Sequence, residues 1–402
     1  MTALNNPQSP EVDAAAGTNH QASESSTLTE PTLETSRPSD QLSADQLKEL
    51  LWQMMMIRRF EERCMQAYQT AKIGGFCHIY IGQEAVAVGS IGALNQNDPV
   101  IGGYRDHGLA LAKGMDPNAC MAEMFGKTTG CAKGKGGSMH MFDKPNAMFG
   151  GHAIVGGQCP LGLGLAWAGQ YLNNDEVTLC YLGDGALNQG GFLESMNLAA
   201  VYNLPIIFVL ENNSYSMGTH INRGTAMGDD LRCKAEAFGM RYAECDGLDV
   251  LDTYDTFARE IANTRNARPI NYNEETGQRD DLPEYSAQGR TPGPAFINVK
   301  TYRYVGHSMS DPQKYRTKDE VGQFKDRDCI DRFEAVLVER GVMELEDIKA
   351  MDTKAKGVAA DAIKHAEAAP LPTRENDLFT DVYLNPPADG PWKVGQPNPN
   401  FA

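Results

Sequence analysis

Two polar side chains, each placed directly after an apolar run, have the chemistry to bind a metal ion together. Asp184 follows the run 177–182 in the sequence Gly-Asp-Gly, and Asn213 follows the run 205–210 in the sequence Glu-Asn-Asn. If both runs are parallel strands, their carboxyl ends meet in one crevice, where the two side chains converge. One carboxylate and one amide oxygen are too few ligands for calcium, but they suit magnesium, which also binds water and substrate phosphates. The pair therefore predicts a magnesium site.

Gly185 and Ala186 come next in the sequence, and we expect them to open the helix that follows the first strand. Backbone amides at a helix N-terminus, together with the helix dipole, attract phosphate groups. An ordinary Gly-rich turn would explain Gly-Asp-Gly alone, but the two blocks together favour a site for magnesium and a phosphate-bearing ligand. Other phosphate motifs fail, since Met121 and Thr129 replace the first glycine of a P-loop and Trp167 replaces the third glycine of a dinucleotide fingerprint.

The segments that must position these residues alternate between short apolar runs and helical patterns from about residue 95 to residue 260. Such alternation is typical of parallel strands joined by crossover helices. A further strand is predicted at 295–301. A long amphipathic helix is predicted from Ser43 to about Tyr68, because Ser43 and Gln46 have the spacing of a capping box and apolar residues follow at helical intervals. The predicted fold class is α/β, with a mostly parallel sheet flanked by helices.

Changes in composition predict the domain boundaries. Residues 1–42 are rich in Ser, Thr, Pro and acidic residues and have almost no large apolar side chains, so we expect a disordered tail. Residues 43–385 form the predicted domain, with a polar insertion at 271–293. Residues 386–402 are predicted to be a C-terminal tail on the surface.

Composition also restricts the partners and the compartment. The chain has 402 residues and a formal net charge of −17, which argues against nucleic acids and anionic membranes as partners. Its nine cysteines form no CxxC pair, which is typical of a reducing compartment. The N-terminal tail contains several acidic residues and one arginine, unlike a mitochondrial presequence. We therefore expect a cytoplasmic protein of a bacterium.

Five blocks of the sequence resemble the alpha subunits of the pyruvate dehydrogenase decarboxylating component, which are thiamine-diphosphate-dependent 2-oxo-acid dehydrogenases. The resemblance covers about residues 43–385, and the five blocks together are highly specific. The blocks are YRDHG at 104–108, GKGGSMHMF at 134–142, GDGALNQG at 183–190, ENNSYSMGT at 211–219 and TYRYVGHSMSDP at 301–312.

The resemblance implies roles for individual residues. Magnesium would be bound by the side chains of Asp184 and Asn213 and by the backbone carbonyl of Tyr215. Thiamine diphosphate would be bound by side chains or backbone groups of Tyr104, Arg105, Ala153, Val155, Asp184, Gly185, Ala186, Asn213 and His307. The two catalytic histidines would be His78, near the substrate, and His307, over the reacting end of the cofactor. Ala153 departs from the family, which more often has glycine there, and its methyl group requires a negative φ.

The implied reaction is oxidative decarboxylation of pyruvate with reductive acetylation of the lipoyl group of the dihydrolipoyl acetyltransferase core, which gives acetyl-CoA and CO2 in the whole complex. Activation of the cofactor requires a carboxylate against the pyrimidine ring, and no residue of this chain can be assigned to it. In the family that carboxylate belongs to a beta subunit. We therefore expect the chain to be inactive alone and to function in an α2β2 heterotetramer.

Two alternatives remain open at this point. An alpha subunit that acts on branched-chain 2-oxo acids or on acetoin shares the same metal-binding core, although the blocks GHSMSDP and GFCH favour pyruvate. A magnesium-nucleotide-binding regulatory protein is the alternative from another class. It would require a P-loop or a dinucleotide fingerprint, and neither motif is complete.

Overall fold

A parallel sheet of six strands forms the centre of the computed structural model, which describes residues 36–228, 230–270, 275–276, 292–374, 377 and 381. Its strands are β1 (Val100–Gly103), β2 (Met148–His152), β3 (Thr178–Gly183), β4 (Ile206–Asn212), β7 (Arg241–Asp246) and β8 (Ala295–Lys300). They lie in the order β2-β1-β3-β4-β8-β7, and every neighbouring pair is parallel. An antiparallel hairpin of β5 (Tyr215–Ser216) and β6 (Thr219–His220) follows β4. The predicted α/β class and the three predicted strands are confirmed.

Helices cover both faces of this sheet. They are α1 (Ala44–Gln69), α2 (Glu84–Gly92), α3 (His107–Ala112), α4 (Pro117–Met124), α5 (Gln158–Tyr171), α6 (Gly190–Tyr202), α7 (Ile221–Gly224), α8 (Arg232–Glu236), α9 (Val250–Arg265), α10 (Lys318–Lys325), α11 (Cys329–Glu339) and α12 (Leu345–Ala368). Successive strand residues point to opposite faces, so Leu179 and Tyr181 belong to the hydrophobic core that contains α1, while Cys180 and Leu182 belong to the core beneath α5 and α6. None of the helices that the structure describes is long and apolar enough to span a membrane.

The long N-terminal helix begins and ends close to its predicted limits. Ser43 is the N-cap of α1: its side chain accepts a hydrogen bond from the amide of Gln46, whose side chain accepts one from the amide of Ser43. Part of the expected disordered tail is folded, because Pro38–Gln41 forms a 3-10 helix. The amide and hydroxyl of Ser39 donate to Asp255 at 2.6 and 2.9 Å. Because this attachment depends on polar contacts, the sequence contains no apolar pattern that would predict it.

The remaining predicted boundaries fall largely outside the described residues. Residues 1–35 and 386–402 lie outside them, as do 271–274 and 277–291 within the predicted insertion at 271–293. These boundaries therefore stay predictions.

Candidate active site

A cavity of about 640 Å³ lies at the carboxyl ends of the parallel strands. The strand β1 has β2 on one side and β3 on the other, so the chain changes direction there, and α/β proteins bind ligands at such a switch point. All the residues predicted from the sequence line this cavity: His78, Tyr104, Arg105, Ala153, Val155, Asp184, Gly185, Ala186, Asn213, Tyr215 and His307. The sheet thus brings together residues that are far apart in the sequence.

Asp184 lies directly after β3, in a 3-10 turn that also contains Gly185 and Ala186. The predicted helix opening is therefore only partly right, because α6 itself begins at Gly190, after this turn. One carboxylate oxygen of Asp184 accepts the amide of Gly185 at 3.0 Å, and the other is buried without a hydrogen-bond partner among the described residues. Burial raises the pKa of Asp184 to about 6, although the nearby guanidinium of Arg303 acts in the opposite direction.

Asn213 and Tyr215 present oxygen atoms to a shared cationic group. The Nη1 nitrogen of Arg303 donates to Asn213 Oδ1 at 2.8 Å and to the carbonyl oxygen of Tyr215 at 2.7 Å. The two oxygens that were predicted to bind magnesium therefore lie close together. With the unpartnered oxygen of Asp184, they form a set of hard oxygen donors of the kind that magnesium prefers. The residues present thus fit a magnesium ion.

Two buried guanidinium groups make the cavity attractive to an anion. Arg105 follows β1 and donates to the carbonyl oxygens of Ile79 at 2.7 Å and His307 at 2.8 Å. Within the part of the chain that the structure describes, neither Arg105 nor Arg303 forms a salt bridge with a carboxylate. Burial and the second guanidinium lower the pKa of Arg105. Guanidinium groups that have no carboxylate in direct contact can donate hydrogen bonds to a phosphate group.

Three aromatic rings lie together at one side of the cavity. The ring centroid of His78 lies 4.4 Å from that of Tyr104 and 5.2 Å from that of His307. Burial, reinforced by the charge of Arg105, lowers the pKa of His78 to about 2 and that of His307 to about 4. Both imidazoles are therefore neutral near pH 7. Each can donate one hydrogen bond and accept another, and His78 Nδ1 is buried without a partner among the described residues.

The segment after β2 contributes backbone to the cavity wall. Ala153 does not have a positive φ, so its backbone meets the condition under which a methyl group can be accommodated at this position. The positive φ in this segment is found instead at Gly156, where it is +81°. Ala153 and Val155 both line the cavity, and Val155 is 41% exposed.

Three of the cavity residues that had not been assigned from the sequence form hydrogen bonds with one another or with Asn213. Arg303 lies in the block that supplied His307, Glu211 comes two residues before Asn213, and Gln83 lies five residues after His78, in the segment that begins with the block GFCH. Their positions within recognised blocks were the available signal. Their roles depend on contacts between distant segments, which the order of residues does not reveal.

Three carboxylates line the cavity among the described residues, and two are committed to other partners. Glu211 accepts hydrogen bonds from Tyr80 and Gln83. Asp311 accepts the amide of His307 and the hydroxyl of Tyr315, both at 2.7 Å. Of the three, only Asp184 has a buried oxygen without a hydrogen-bond partner. The arrangement can therefore bind a divalent cation and an anionic ligand beneath two neutral imidazoles.

Comparisons with known proteins place the chain in a family. The family model described as the dehydrogenase E1 component matches residues 52–269 and 284–375. Three relatives carry the name pyruvate dehydrogenase E1 component subunit alpha. The protein of Rickettsia typhi is 42% identical over 82% of this chain and 94% of its own length; that of Rhizobium meliloti is 44% identical over 83% and 88%; that of Zymomonas mobilis is 44% identical over 85% and 89%.

Proposed function

The chain belongs to the dehydrogenase E1 component family, and on this premise we propose that it is the alpha subunit of a pyruvate dehydrogenase. Enzymes of this family use thiamine diphosphate. The observation that carries the proposal is the cavity at the switch point of the sheet, which collects oxygen donors, guanidinium groups and neutral imidazoles. The reaction would be oxidative decarboxylation of pyruvate, with transfer of the acetyl group to the lipoyl group of a dihydrolipoyl acetyltransferase.

The cavity residues divide into those for the metal ion and those for the diphosphate. Asp184, Asn213 and the carbonyl of Tyr215 would bind magnesium, because they supply hard oxygen donors. Tyr104, Arg105 and His307 would bind the diphosphate, aided by the amides after Asp184. Bound thiamine diphosphate supplies a nucleophilic carbon and an electron sink for decarboxylation.

The two histidines would act on the substrate as neutral groups. Their depressed pKa values leave each imidazole with one N–H donor and one free acceptor at neutral pH. His78 would orient the substrate, and His307 would hold or release a proton above the reacting end of the cofactor. Phe76 also lines the cavity, with its ring centroid 6.4 Å from that of His78. If this ring narrows the substrate side of the cavity, it would favour a small 2-oxo acid over a branched one.

A beta subunit would complete the site. Activation of the pyrimidine ring requires a carboxylate, and of the three described carboxylates that line the cavity only Asp184 has a buried oxygen without a hydrogen-bond partner, which we assign to the metal. An exposed apolar face consists of Leu161, Trp167, Tyr171 and Leu172 on and after α5. Ile154, which lies in the sequence between the cavity-lining residues Ala153 and Val155, is exposed as well. Surfaces of this kind mark protein contacts. We assign this α5 face to the beta subunit of an α2β2 heterotetramer that associates with the acetyltransferase core in a bacterial cytoplasm.

Co-expression with a candidate beta chain tests this function. The purified complex should decarboxylate pyruvate and acetylate a lipoyl domain in the presence of thiamine diphosphate and magnesium, and the chain alone should not. Preference for a branched-chain 2-oxo acid would contradict the substrate assignment. Full activity of the chain alone would contradict the shared site.

A further inference from the structure

We propose that Gln83 and Glu211 are positioning residues that fix the orientation of the Asn213 amide and so present Asn213 Oδ1 to the metal ion. This inference rests on the proposed function, because it takes Asn213 as a magnesium ligand. It adds two residues that touch neither metal nor cofactor in the proposed scheme.

The three side chains form a continuous hydrogen-bonded chain. Glu211 Oε1 accepts a hydrogen bond from the hydroxyl of Tyr80 and a second one, at 3.3 Å, from Gln83 Nε2. Gln83 Oε1 in turn accepts from Asn213 Nδ2 at 3.0 Å. Gln83 and Tyr80 are fully buried, and Glu211 and Asn213 are each only 7% exposed. Water therefore has little access to these side chains and cannot readily replace their hydrogen bonds.

The direction of this chain follows from the chemistry of its members. A carboxylate oxygen accepts hydrogen bonds, so Gln83 must turn its NH2 group toward Glu211 and its oxygen toward Asn213. That oxygen requires a donor, so Asn213 must turn its own NH2 group toward Gln83. Asn213 Oδ1 is then left facing the cavity, where Arg303 donates to it at 2.8 Å. An amide that rotated by half a turn would offer an NH2 group to the metal ion instead.

The backbone also holds Gln83 in place. The preceding residue, Gly82, has a φ of +99°, and a Cβ atom there would lie 2.3 Å from the carbonyl oxygen of Tyr302. The amide of Tyr304 donates to the carbonyl of Ile81 at 3.0 Å. The segment that carries Gln83 is thus pinned against the loop that carries Arg303. Both ends of the Asn213 amide are consequently fixed by groups with defined positions.

Binding of Mn2+ provides a direct readout, because this ion is paramagnetic and takes the same oxygen ligands as magnesium. The complex with the beta subunit is titrated with Mn2+ in the presence of thiamine diphosphate, and free Mn2+ is measured by electron paramagnetic resonance. Glu211→Gln keeps the shape of the side chain but allows it to donate to Gln83. We expect it to weaken Mn2+ binding about ten- to a hundredfold, as is usual when a residue that orients a metal ligand is changed.

A second pair of variants separates positioning from a general structural effect. In Asn213→Asp, either oxygen of the new carboxylate can bind the metal. If Glu211→Gln is added and reverses the hydrogen-bonded chain, Gln83 can donate to that carboxylate. Glu211→Gln should therefore weaken Mn2+ binding when Asn213 is present and should not weaken it when it is combined with Asn213→Asp.

Ser90→Ala is the matched control for these variants. Ser90 is fully buried on α2, and its hydroxyl contacts that of Tyr181 at 2.7 Å, away from Asn213. Its replacement removes a buried polar group from α2, the helix whose N-cap is Gln83, without removing a bond of the proposed hydrogen-bonded chain. It should leave Mn2+ affinity unchanged.

Each result decides the matter. Equal Mn2+ affinity of Glu211→Gln and the wild type would overturn the positioning role. An equal loss with and without the Asn213→Asp substitution would also overturn it, since a general loss of structure weakens both alike. A wild-type complex that decarboxylates pyruvate but binds Mn2+ without help from Asn213 would refute this inference and leave the proposed function standing. Absence of both activity and Mn2+ binding would instead remove the proposed function and the inference with it.

Discussion

The surroundings of Asp184 destabilise the ionised form of its carboxyl group. It is buried, it has one oxygen without a hydrogen-bond partner among the described residues, and its pKa is raised to about 6. Burying a carboxylate without compensation is unfavourable, and a divalent cation provides that compensation. The same features that make Asp184 costly to bury make it suited to bind a metal ion.

Replacement of Asp184 should therefore act on cofactor binding. Asp184→Asn removes the charge-assisted ligand, and we expect the magnesium-dependent affinity for thiamine diphosphate to fall by more than about a hundredfold. Isothermal titration of the complex measures this change. Asp255→Asn is the control, because it removes a different buried carboxylate that binds Ser39. An affinity close to that of the wild type in Asp184→Asn would place the metal elsewhere.

His307 should make the folded protein sensitive to acid. Burial and the guanidinium groups lower its pKa to about 4, below the value of about 6.5 expected in the unfolded chain. Between these values the unfolded state binds the additional proton, so stability decreases as the pH falls from about 6.5 toward about 4. In His307→Gln this contribution is missing. The free energy of unfolding of the wild type minus that of the variant should therefore decrease from pH 7 to pH 5 in urea titrations; a constant difference would refute the shifted pKa.

The predicted residues that line the cavity share one property: each lies just after a strand or within a recognised block. Asp184 and Asn213 follow β3 and β4, so strand ends and residue types sufficed to expect them together. Gln83 and Arg303 could not be assigned in the same way. They lie 130 and 90 positions from Asn213 in the sequence, and only the folded sheet brings them into contact with it.

At the scale of elements, the start of α1 followed a local rule, whereas the start of α6 was not where the sequence predicted it. The capping box of Ser43 and Gln46 predicted the start of α1, because both hydrogen bonds form between residues three positions apart. The 3-10 helix Pro38–Gln41 was missed because its anchor, Asp255, lies 216 positions away. The sequence thus determines the elements largely by short-range patterns, whereas attachment of the terminal segment depends on the tertiary fold.

The N-cap of α1 should contribute measurably to stability. Ser43→Ala removes the acceptor for the amide of Gln46, and we expect it to lower the free energy of unfolding by about 1 kcal/mol. Chemical denaturation of the purified chain measures the loss. Ser43→Asp, which retains a capping oxygen, should keep nearly the full stability. Equal losses in both variants would show that the cap has no specific role.

At the scale of the whole molecule, the α5 face should govern assembly. Tyr171 is 82% exposed on this face, and a charge there would have to be desolvated beneath a partner subunit. Tyr171→Asp should therefore reduce the α2β2 heterotetramer to smaller species in light-scattering measurements. Leu345→Asp is the control, since Leu345 is also a large exposed apolar residue, at 56%, but lies at the start of α12. Intact tetramers of Tyr171→Asp would place the beta subunit on another surface.

The position of β8 has a consequence for synthesis on the ribosome. This strand is the last of the sheet to be translated, yet it lies between β4 and β7 and is the strand with which β7 pairs. Until it leaves the exit tunnel, the nascent polypeptide carries β4 as an open, apolar edge, a known starting point for aggregation. The pocket also lacks the segment with Arg303 and His307 during that time. Ligand capture must therefore follow translation of the segment that contains Arg303 and His307, and the growing chain should depend on chaperones that shield such edges.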